Sequence, residues 1–301
     1  MSFSRAAEEL FLTQPAVSIQ VRQLEEHFGI ALFAHVGRRI LLTPAGREML
    51  RYARAIIDNF RAAEEAMERA QGAAREVLRV GIEPAGGYVF PRLMAAFTGR
   101  GNRTELELAV HERDELVDRL KNHEFDLAIV TDRPSDISVE STAFAPHAFV
   151  LVASANHPLA HQQRIRPEAL QDEPLITYDR SCAVRELMEA VMHWHPQRTK
   201  PTLAISDTET IKQLIRERMG IGFLSAHTVS REVESGVLSI LDVEHFPHIA
   251  QWHVAQYSGR MLPVSASEFR HFLLRDGARE LDEPRAKLHS ISQNLSTAAI
   301  P

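Results

Sequence analysis

The chain has 301 residues, of which 45% are hydrophobic and 25% are charged, and its formal net charge is −6. This length accommodates two or three domains with separate cores, and the composition is ordinary for a globular protein. No apolar run reaches the roughly eighteen residues of a membrane span, so we expect no membrane partner. The N-terminal residues lack a basic-then-apolar signal layout, which predicts a cytoplasmic protein. A single cysteine, Cys182, excludes an internal disulfide and a cysteine-rich zinc site.

Charge is unevenly distributed along the chain. Residues 1–54 contain seven arginines and five glutamates, a net charge of +2, which leaves −8 for the remainder. A mildly basic head on an acidic body is typical of a small DNA-binding module that is attached to another domain.

Two short helices are predicted at the N-terminus. The first covers residues 4–10, with Ser4 as its N-cap. The second follows Thr13, carries Pro15 in its first turn, where a missing N–H costs nothing, and ends before Gly29. Two helices across a tight turn form a helix-turn-helix, whose second helix enters the major groove of DNA.

A wing and a long helix are predicted next. Two apolar runs within residues 32–42 flank a Gly-Arg-Arg tip, which predicts a β-hairpin, and Thr43 and Pro44 then begin the long helix. Its apolar residues repeat at spacings of four and three: Met49, Ala53, Ile56, Phe60, Ala63 and Met67. This heptad seam favours packing along a second helix in a dimer. The alternative is an amphipathic helix that lies on its own domain.

The body of the chain alternates between predicted strands and helices. Strands are predicted at 77–82, 105–110, 125–130, 148–153, 175–178, 202–205, 222–224, 238–241 and 251–256. Helices are predicted at 91–97, 114–122, 184–193, 207–217 and 230–234. The alternation predicts an α/β fold with parallel sheets and helices on both faces. Residues 284–301 are polar, small and aperiodic, so we expect a disordered tail.

Several motifs resemble those of LysR-type transcription regulators. In the DNA-binding module these are Ser-Phe-Ser-Arg-Ala-Ala-Glu-Glu-Leu at 2–10, Thr-Gln-Pro-Ala-Val-Ser at 13–18, Gln-Leu-Glu at 23–25, Leu-Phe at 32–33, Gly-Arg-Arg at 37–39 and Leu-Thr-Pro-Ala-Gly at 42–46. The body resembles the family's effector domain at 125–130, 156–159 and 219–222. Segments 208–213, 225–229 and 233–236 are most similar to the regulators of carbon-fixation (RuBisCO) operons.

The resemblance implies the domain organisation and the partners. The implied domains are a winged helix-turn-helix at 1–43, a linker and dimerisation helix at 44–76, and an effector-binding domain at 77–283 with two periplasmic-binding-protein-like (type II) subdomains, I at 77–152 and 252–280 and II at 153–251. The implied partners are double-stranded operator DNA, a small-molecule effector, further copies of the chain in a dimer of dimers, and RNA polymerase. Members normally have one more helix before the Ser-Phe-Ser segment. We expect that this first helix is missing because the start of the chain is assigned too late.

The family motif assigns DNA contacts to the second helix and the wing. Gln14 can offer an amide and a carbonyl to an adenine edge, and the wing arginines suit a narrow minor groove. Taken singly, an exposed arginine is an ordinary surface charge, so the prediction depends on the motif as a whole. The predicted DNA-binding residues are Thr13, Gln14, Pro15, Ser18, Arg22, Arg38 and Arg39.

Effector contacts are expected on two loops, and both have lost hydroxyl groups relative to the family. Pro84 and Ala85 replace a Ser-Thr pair, and Ser-Cys-Ala-Val-Arg at 181–185 replaces a Gly-Ser-Gly-Thr-Arg pattern. Because arginines and helix N-termini suit phosphate or carboxylate groups, we predict a small anionic metabolite. The predicted effector-binding residues are Pro84, Ala85, Gly86, Gly87, Thr131, Arg133, Ser181, Cys182, Arg185, Ser206 and Thr208.

No catalytic, metal or cofactor site is predicted. Histidines lie within three residues of each other only at 193/195 and 245/248, without further ligands at metal-binding spacing. No nucleophile elbow, phosphate-binding loop or dinucleotide fingerprint is found. Cys182 as a redox sensor is the weaker interpretation of the lone thiol. The alternative protein classes, a periplasmic binding protein and an enzyme, lack respectively a signal peptide and a convergent set of acid, base and nucleophile.

Overall fold

The computed structural model describes residues 2–37, 39–70, 76–99, 104–179, 182–192 and 203–281. The chain divides into two compact units, Met1–Ala73 and Ala74–Pro301. Arg38, Ser181 and the predicted tail at 284–301 lie outside the described residues. Across the described ranges, no helix has both the length and the apolar character that a membrane crossing requires.

The first unit contains the predicted helix-turn-helix and wing. Its elements are α1 (Phe3–Glu9), α2 (Gln14–Phe28), β1 (Phe33–Val36), β2 (Arg39–Leu42) and α3 (Pro44–Ala70). Ser2, and not Ser4, caps α1, because its hydroxyl accepts the N–H of Arg5 at 3.3 Å. Thr13 caps α2 as predicted, and Gly29 ends α2 at a φ of 66°, in the left-handed region that glycine tolerates. Strands β1 and β2 pair antiparallel and form the predicted hairpin.

The seam of α3 is exposed in the single chain. Ile56, Phe60 and Met67 are 68%, 64% and 62% exposed. Large apolar side chains in a row along one helix are seldom left in water. Their exposure favours the predicted pairing with a second helix over packing on the unit itself.

The second unit contains nine strands and six helices among the residues that the structure describes. They are β3 (Glu76–Ile82), α4 (Phe90–Thr98), β4 (Thr104–Val110), α5 (Arg113–Lys121), β5 (Leu127–Thr131), β6 (Val139–Ser154), β7 (Leu175–Tyr178), α6 (Ala183–Val191), β8 (Leu203–Ile205), α7 (Thr208–Arg216), β9 (Ile221–Ser225), α8 (Ala226–Glu234), β10 (Leu238–Ile240), β11 (His248–Tyr257) and α9 (Val264–Leu281). Strand β6 begins at Val139 and not at 148, helix α8 begins at Ala226 and not at 230, and α9 was not predicted.

One mixed sheet joins two lobes in this unit. The strand order is β4-β3-β5-β11-β6-β9-β7-β8, with β10 paired to β6. Strands β3, β4 and β5 run parallel and, with α4, α5 and α9, form what we call the first lobe; β7, β8 and β9 run parallel and, with β10 and α6–α8, form the second lobe. Strands β6 and β11 pair antiparallel along their length and cross from one lobe to the other. The predicted parallel sheets are therefore confirmed within the lobes, and antiparallel crossing strands connect them.

Candidate DNA-binding surface and effector cleft

The leading turns of α2 carry the polar groups that were predicted to contact DNA. Gln14 is exposed, Ser18 is half-buried, and Gln14 Nε2 donates a hydrogen bond to Ser18 Oγ at 2.9 Å. Arg22 continues the same face one turn later and is exposed, as are Thr13 and Pro15. The carbonyl of Gln14 stays available as an acceptor, and the guanidinium of Arg22 is open to solvent. The backbone of Arg39 begins β2 at the wing.

Glu25 connects the end of α2 to the root of the wing. Its Oε1 accepts the backbone N–H groups of Leu32 at 2.7 Å and of Phe33 at 3.1 Å. Sequence reasoning used Glu25 only as part of a motif. The structure assigns it a role, because it satisfies two donors at the point where the chain enters β1.

Thr43 and Gly46 form a joint between the wing and α3. The Thr43 hydroxyl donates to the carbonyl of Ala31 at 2.8 Å and accepts the N–H of Gly46 at 2.9 Å, while the Thr43 N–H donates to the Leu32 carbonyl at 3.0 Å. A Cβ on Gly46 would lie 1.9 Å from the Leu32 oxygen. The Thr-Pro-Ala-Gly motif therefore requires glycine because the backbone of 31–32 passes directly against it.

A cavity of about 240 Å³ lies between the two lobes of the second unit. Its first-lobe wall comes from the carboxyl ends of β3 and β5 and from the start of α5, and its second-lobe wall comes from α6. The lining residues are Glu83, Arg113, Thr131, Asp132, Phe149, Ala183, Val184, Glu186, Leu187 and Ala190. In sheets of parallel strands, ligands bind at the carboxyl ends of the strands. The cavity is therefore the candidate effector site.

An ion pair lies in the first-lobe wall. Arg113 Nε is 2.9 Å from Glu83 Oε1, and Arg113 also donates to the carbonyl of Thr131. The second oxygen of Glu83 accepts the N–H of Thr131 at 2.9 Å. These bonds fix the three residues relative to one another at the edge where β3 and β5 end.

Cys182 lies at the N-cap of α6 and is buried. Burial, together with the nearby carboxylate of Glu112, raises the pKa of the Cys182 thiol to about 12. The thiol is therefore protonated at neutral pH, which disfavours its interpretation as a redox sensor. Burial, followed by repulsion from Glu83 and Asp179, raises the pKa of Glu112.

Of the described residues that were predicted to bind the effector, Thr131 lines the cavity. Residues 84–87 belong to a 3-10 turn, Pro84–Tyr88, in which the N–H of Gly86 donates to the carbonyl of Glu83 at 2.8 Å and is therefore occupied. Gly87 and Tyr88 are exposed, and the Tyr88 hydroxyl donates to Glu209 of α7 in the other lobe. The glycine turn thus contacts the second lobe through Tyr88.

The remaining predicted effector residues have other surroundings. Arg185 is buried, and its guanidinium donates to Glu189 and to Thr177, so it is occupied inside the second lobe. The hydroxyl of Thr208 is buried and hydrogen-bonded to that of Tyr178 at 2.9 Å. Arg133 and Ser206 are exposed. These residues, Arg185, Thr208, Arg133 and Ser206, are not among the described residues that line the cavity.

His147 of β6 contacts both lobes. Its Nδ1 lies 3.1 Å from the Thr131 hydroxyl in the first lobe, and its Nε2 lies 2.7 Å from the Ser225 hydroxyl in the second. The ring is fully buried and stacks on Trp252 of β11, with centroids 3.9 Å apart. Burial lowers the pKa of His147 well below its usual value, so the ring is neutral. A neutral imidazole has one donor and one acceptor nitrogen, which satisfies both hydroxyls.

Sequence reasoning missed Glu83, Arg113, Asp132 and Glu186, which supply the charge of the cavity. A signal for three of them was present. Glu83 and Asp132 directly follow buried parallel strands, and Arg113 comes shortly after the next strand in the sheet. Charged residues at the carboxyl ends of neighbouring parallel strands converge on one edge.

Two family descriptions match the chain. Residues 1–47 match the bacterial regulatory helix-turn-helix protein, lysR family, and residues 71–278 match the LysR substrate binding domain. The chain belongs to the LysR family. As a LysR regulator it is a sequence-specific DNA-binding transcription regulator and not an enzyme. It binds operator DNA and a small-molecule effector, and LysR regulators oligomerise.

Curated relatives resemble the chain over most of its length. It is 37% identical to the RuBisCO operon transcriptional regulator of Allochromatium vinosum, over 92% of both chains. It is 32% identical to the HTH-type transcriptional activator CmpR of Synechocystis, over 90% of both chains. The chain is thus similar over most of its length to a regulator of the RuBisCO operon.

Solved structures share the fold. The regulatory domain of Synechocystis CcmR in complex with 2-PG superimposes with a TM-score of 0.62 at 32% identity, over 66% of this chain and 96% of that domain. A full-length OxyR variant from Pseudomonas aeruginosa gives a TM-score of 0.69 at 22% identity, over 91% and 92% of the two chains. The second comparison confirms the LysR architecture, a winged helix-turn-helix followed by a type II periplasmic-binding-protein-like effector domain.

Proposed function

We propose that this LysR regulator binds its operator as a dimer of dimers and that a small anionic metabolite in the cleft between the lobes changes the DNA bend. Contact with RNA polymerase then converts the bend into altered transcription. The observation that carries the effector proposal is the cavity between the lobes, because a ligand there touches both lobes. Such a ligand shifts the equilibrium towards the arrangement of lobes that it binds more tightly.

Two facts support an anionic effector. Arg113 lines the cavity, and its side chain is 24% exposed, so part of its guanidinium is open to a ligand. The CcmR regulatory domain, which is 32% identical, was solved in complex with 2-PG. We propose Arg113 and Thr131 as effector contacts in place of Arg185, which Glu189 and Thr177 occupy.

For DNA binding we propose that α2 reads bases through Gln14 and Ser18. Thr13, Pro15 and Arg22 contact or approach the phosphate backbone. Arg38 and Arg39 of the wing contact the backbone or the minor groove. A good base contact contributes about 1–3 kcal/mol of discrimination, whereas a phosphate contact contributes mainly salt-dependent affinity. The similarity to RuBisCO operon regulators supports carbon-fixation genes as targets.

A footprinting experiment tests the proposed function. Full-length protein is applied to promoter fragments of carbon-fixation genes and to unrelated fragments, with and without a panel of organic acids and phosphorylated metabolites that includes 2-phosphoglycolate. We expect protection of a carbon-fixation promoter and a change in the footprint with at least one metabolite. Equal, sequence-independent binding to all fragments would contradict the target proposal, and an unchanged footprint across the panel would contradict the effector proposal.

Variants separate base reading from phosphate contact. Gln14→Ala should weaken binding to the operator but not to unrelated DNA. Arg22→Ala should weaken both and reduce the slope of log affinity against log salt by about 1. If both variants weaken operator and unrelated DNA equally, α2 does not read bases through Gln14.

A further inference from the structure

The charge of Arg113 is matched by a protein carboxylate before any ligand enters the cavity. The Glu83 side chain is 6% exposed and the Arg113 side chain 24%, and both residues line the cavity. Glu83 accepts two hydrogen bonds of 2.9 Å, one from Arg113 Nε through Oε1 and one from the backbone N–H of Thr131 through Oε2. A guanidinium has five N–H donors, and Glu83 and the Thr131 carbonyl use two of them. Arg113 therefore still has N–H donors for a ligand but no unbalanced positive charge.

The other charged residues that line the cavity are acidic. Asp132 follows Thr131 at the end of β5, and Glu186 lies in the first turn of α6 on the opposite wall. Among the described lining residues, one positive charge stands against three negative charges, a net charge of −2. The charge of Glu83 also acts on Glu112, whose pKa is raised first by burial and next by repulsion from Glu83. Each further negative charge on a ligand adds repulsion.

We propose that Glu83 is a specificity-determining residue that restricts the effector to molecules with a single negative charge and several hydrogen-bond donors. The proposal rests on the proposed function, because it takes the cavity as the effector site. A single carboxylate can accept the free N–H groups of Arg113, while hydroxyl or amino groups donate to Asp132 and Glu186. A phosphate ester brings almost two negative charges at neutral pH, and no unbalanced cation lines the described cavity to meet them. Hydroxy or amino acids are therefore the favoured class over their phosphorylated counterparts. On this point the chain would differ from the CcmR regulatory domain, which supports an anionic effector but not the number of its charges.

Isothermal titration with a matched pair of ligands tests this charge selection. The probes are glycerate and 3-phosphoglycerate, and the proteins are full-length wild type and Glu83→Gln. Glutamine keeps a carbonyl that can accept the Thr131 N–H and removes the charge. We expect Glu83→Gln to bind 3-phosphoglycerate at least about tenfold more tightly than wild type does, with little change for glycerate. Arg113→Met in the Glu83→Gln background should abolish the gain.

Controls address the position of the charge and the folding of the variant. Glu268→Gln removes an exposed carboxylate from α9, which does not line the described cavity, and should leave both affinities unchanged. Asp132→Asn removes one negative charge from the lining without touching the ion pair. The positive φ of 59° at this position is one that asparagine tolerates. The substitution should give a smaller gain in the same direction even if Glu83→Gln fails to fold.

The outcomes distinguish this proposal from the proposed function. Equal affinity of wild type and Glu83→Gln for 3-phosphoglycerate, including no heat from either, overturns the role of Glu83. If wild type binds 3-phosphoglycerate tightly and Glu83→Gln binds it no more tightly, the result supports an anionic effector and contradicts charge selection by Glu83. If neither glycerate nor 3-phosphoglycerate binds wild type but Glu83→Gln binds 3-phosphoglycerate, the result supports charge selection by Glu83 and contradicts an anionic effector.

Discussion

Replacing His147 by phenylalanine should destabilise the second unit without changing its shape. Phenylalanine can keep the stack on Trp252, but it has no ring nitrogens. Two buried hydroxyls therefore lose their hydrogen-bond partners: that of Thr131, now 3.1 Å from His147 Nδ1, and that of Ser225, now 2.7 Å from His147 Nε2. A buried hydroxyl without a partner costs about 1–3 kcal/mol. The gain in apolar area offsets part of this, so we expect a net loss of about 2–4 kcal/mol. For a unit of this size the melting temperature should fall by about 4–16 °C.

Thermal unfolding followed by circular dichroism measures this effect. His271→Phe, at an exposed histidine of α9, is the matched control and should change the melting temperature by much less. The decisive variant adds Thr131→Val and Ser225→Ala to His147→Phe. If unpaired hydroxyls cause the loss, removing them should recover stability, because deleting both partners of a hydrogen bond is nearly neutral. A triple variant that is less stable than His147→Phe alone would refute the reasoning.

Three further predictions concern pH, packing and assembly. Burial lowers the pKa of His227 to about 4 and that of His147 well below 6.5. Between these values and pH 6.5 the unfolded chain therefore binds more protons than the folded chain. The free energy of unfolding should fall as pH drops from 6.5 towards 4, by up to about 1.4 kcal/mol per pH unit for each histidine. A urea titration at each pH checks this, and a flat profile contradicts it. Gly46→Ala should destabilise the DNA-binding unit by about 3 kcal/mol in thermal unfolding, whereas Gly87→Ala, which meets no atom within 4 Å, should not. Phe60→Glu should dissociate the dimer that α3 forms, as measured by sedimentation velocity, whereas Asn59→Glu, beside the seam, should not. Equal sedimentation of the two variants would exclude the seam as the dimer interface.

Most of the fold could be predicted from local sequence signals. Thr13 and Gly29 mark the ends of α2 because capping depends on residues next to each other in sequence. Strand β5 is buried along its length, and its sequence is apolar up to the final Thr131. The first half of β6 mixes buried and exposed residues, and α9 contains Gly277, where a Cβ would lie 2.6 Å from the ring of Phe144. Their formation depends on contacts that are distant in sequence.

The candidate site was less predictable for the same reason. Family motifs directed attention to hydroxyl groups, but Arg185 and Thr208 are occupied by partners that only the packed lobe brings near. The charged wall of the cavity combines residues that lie 18 to 48 positions apart in sequence. These residues meet at one edge because of the order of the parallel strands in the sheet, and no single sequence motif predicts that order.

The joint at Thr43 has a mechanical consequence for signalling. One hydroxyl caps α3 and also holds the backbone at Ala31, and Glu25 holds the neighbouring residues from the end of α2. The hydrogen bonds of Thr43 and Glu25 therefore connect α2, the start of the wing and α3 at one short stretch of chain, residues 31–33. Because these bonds couple the three elements, we expect a rotation of α3 to move α2 and the wing together and so to change how they meet the DNA.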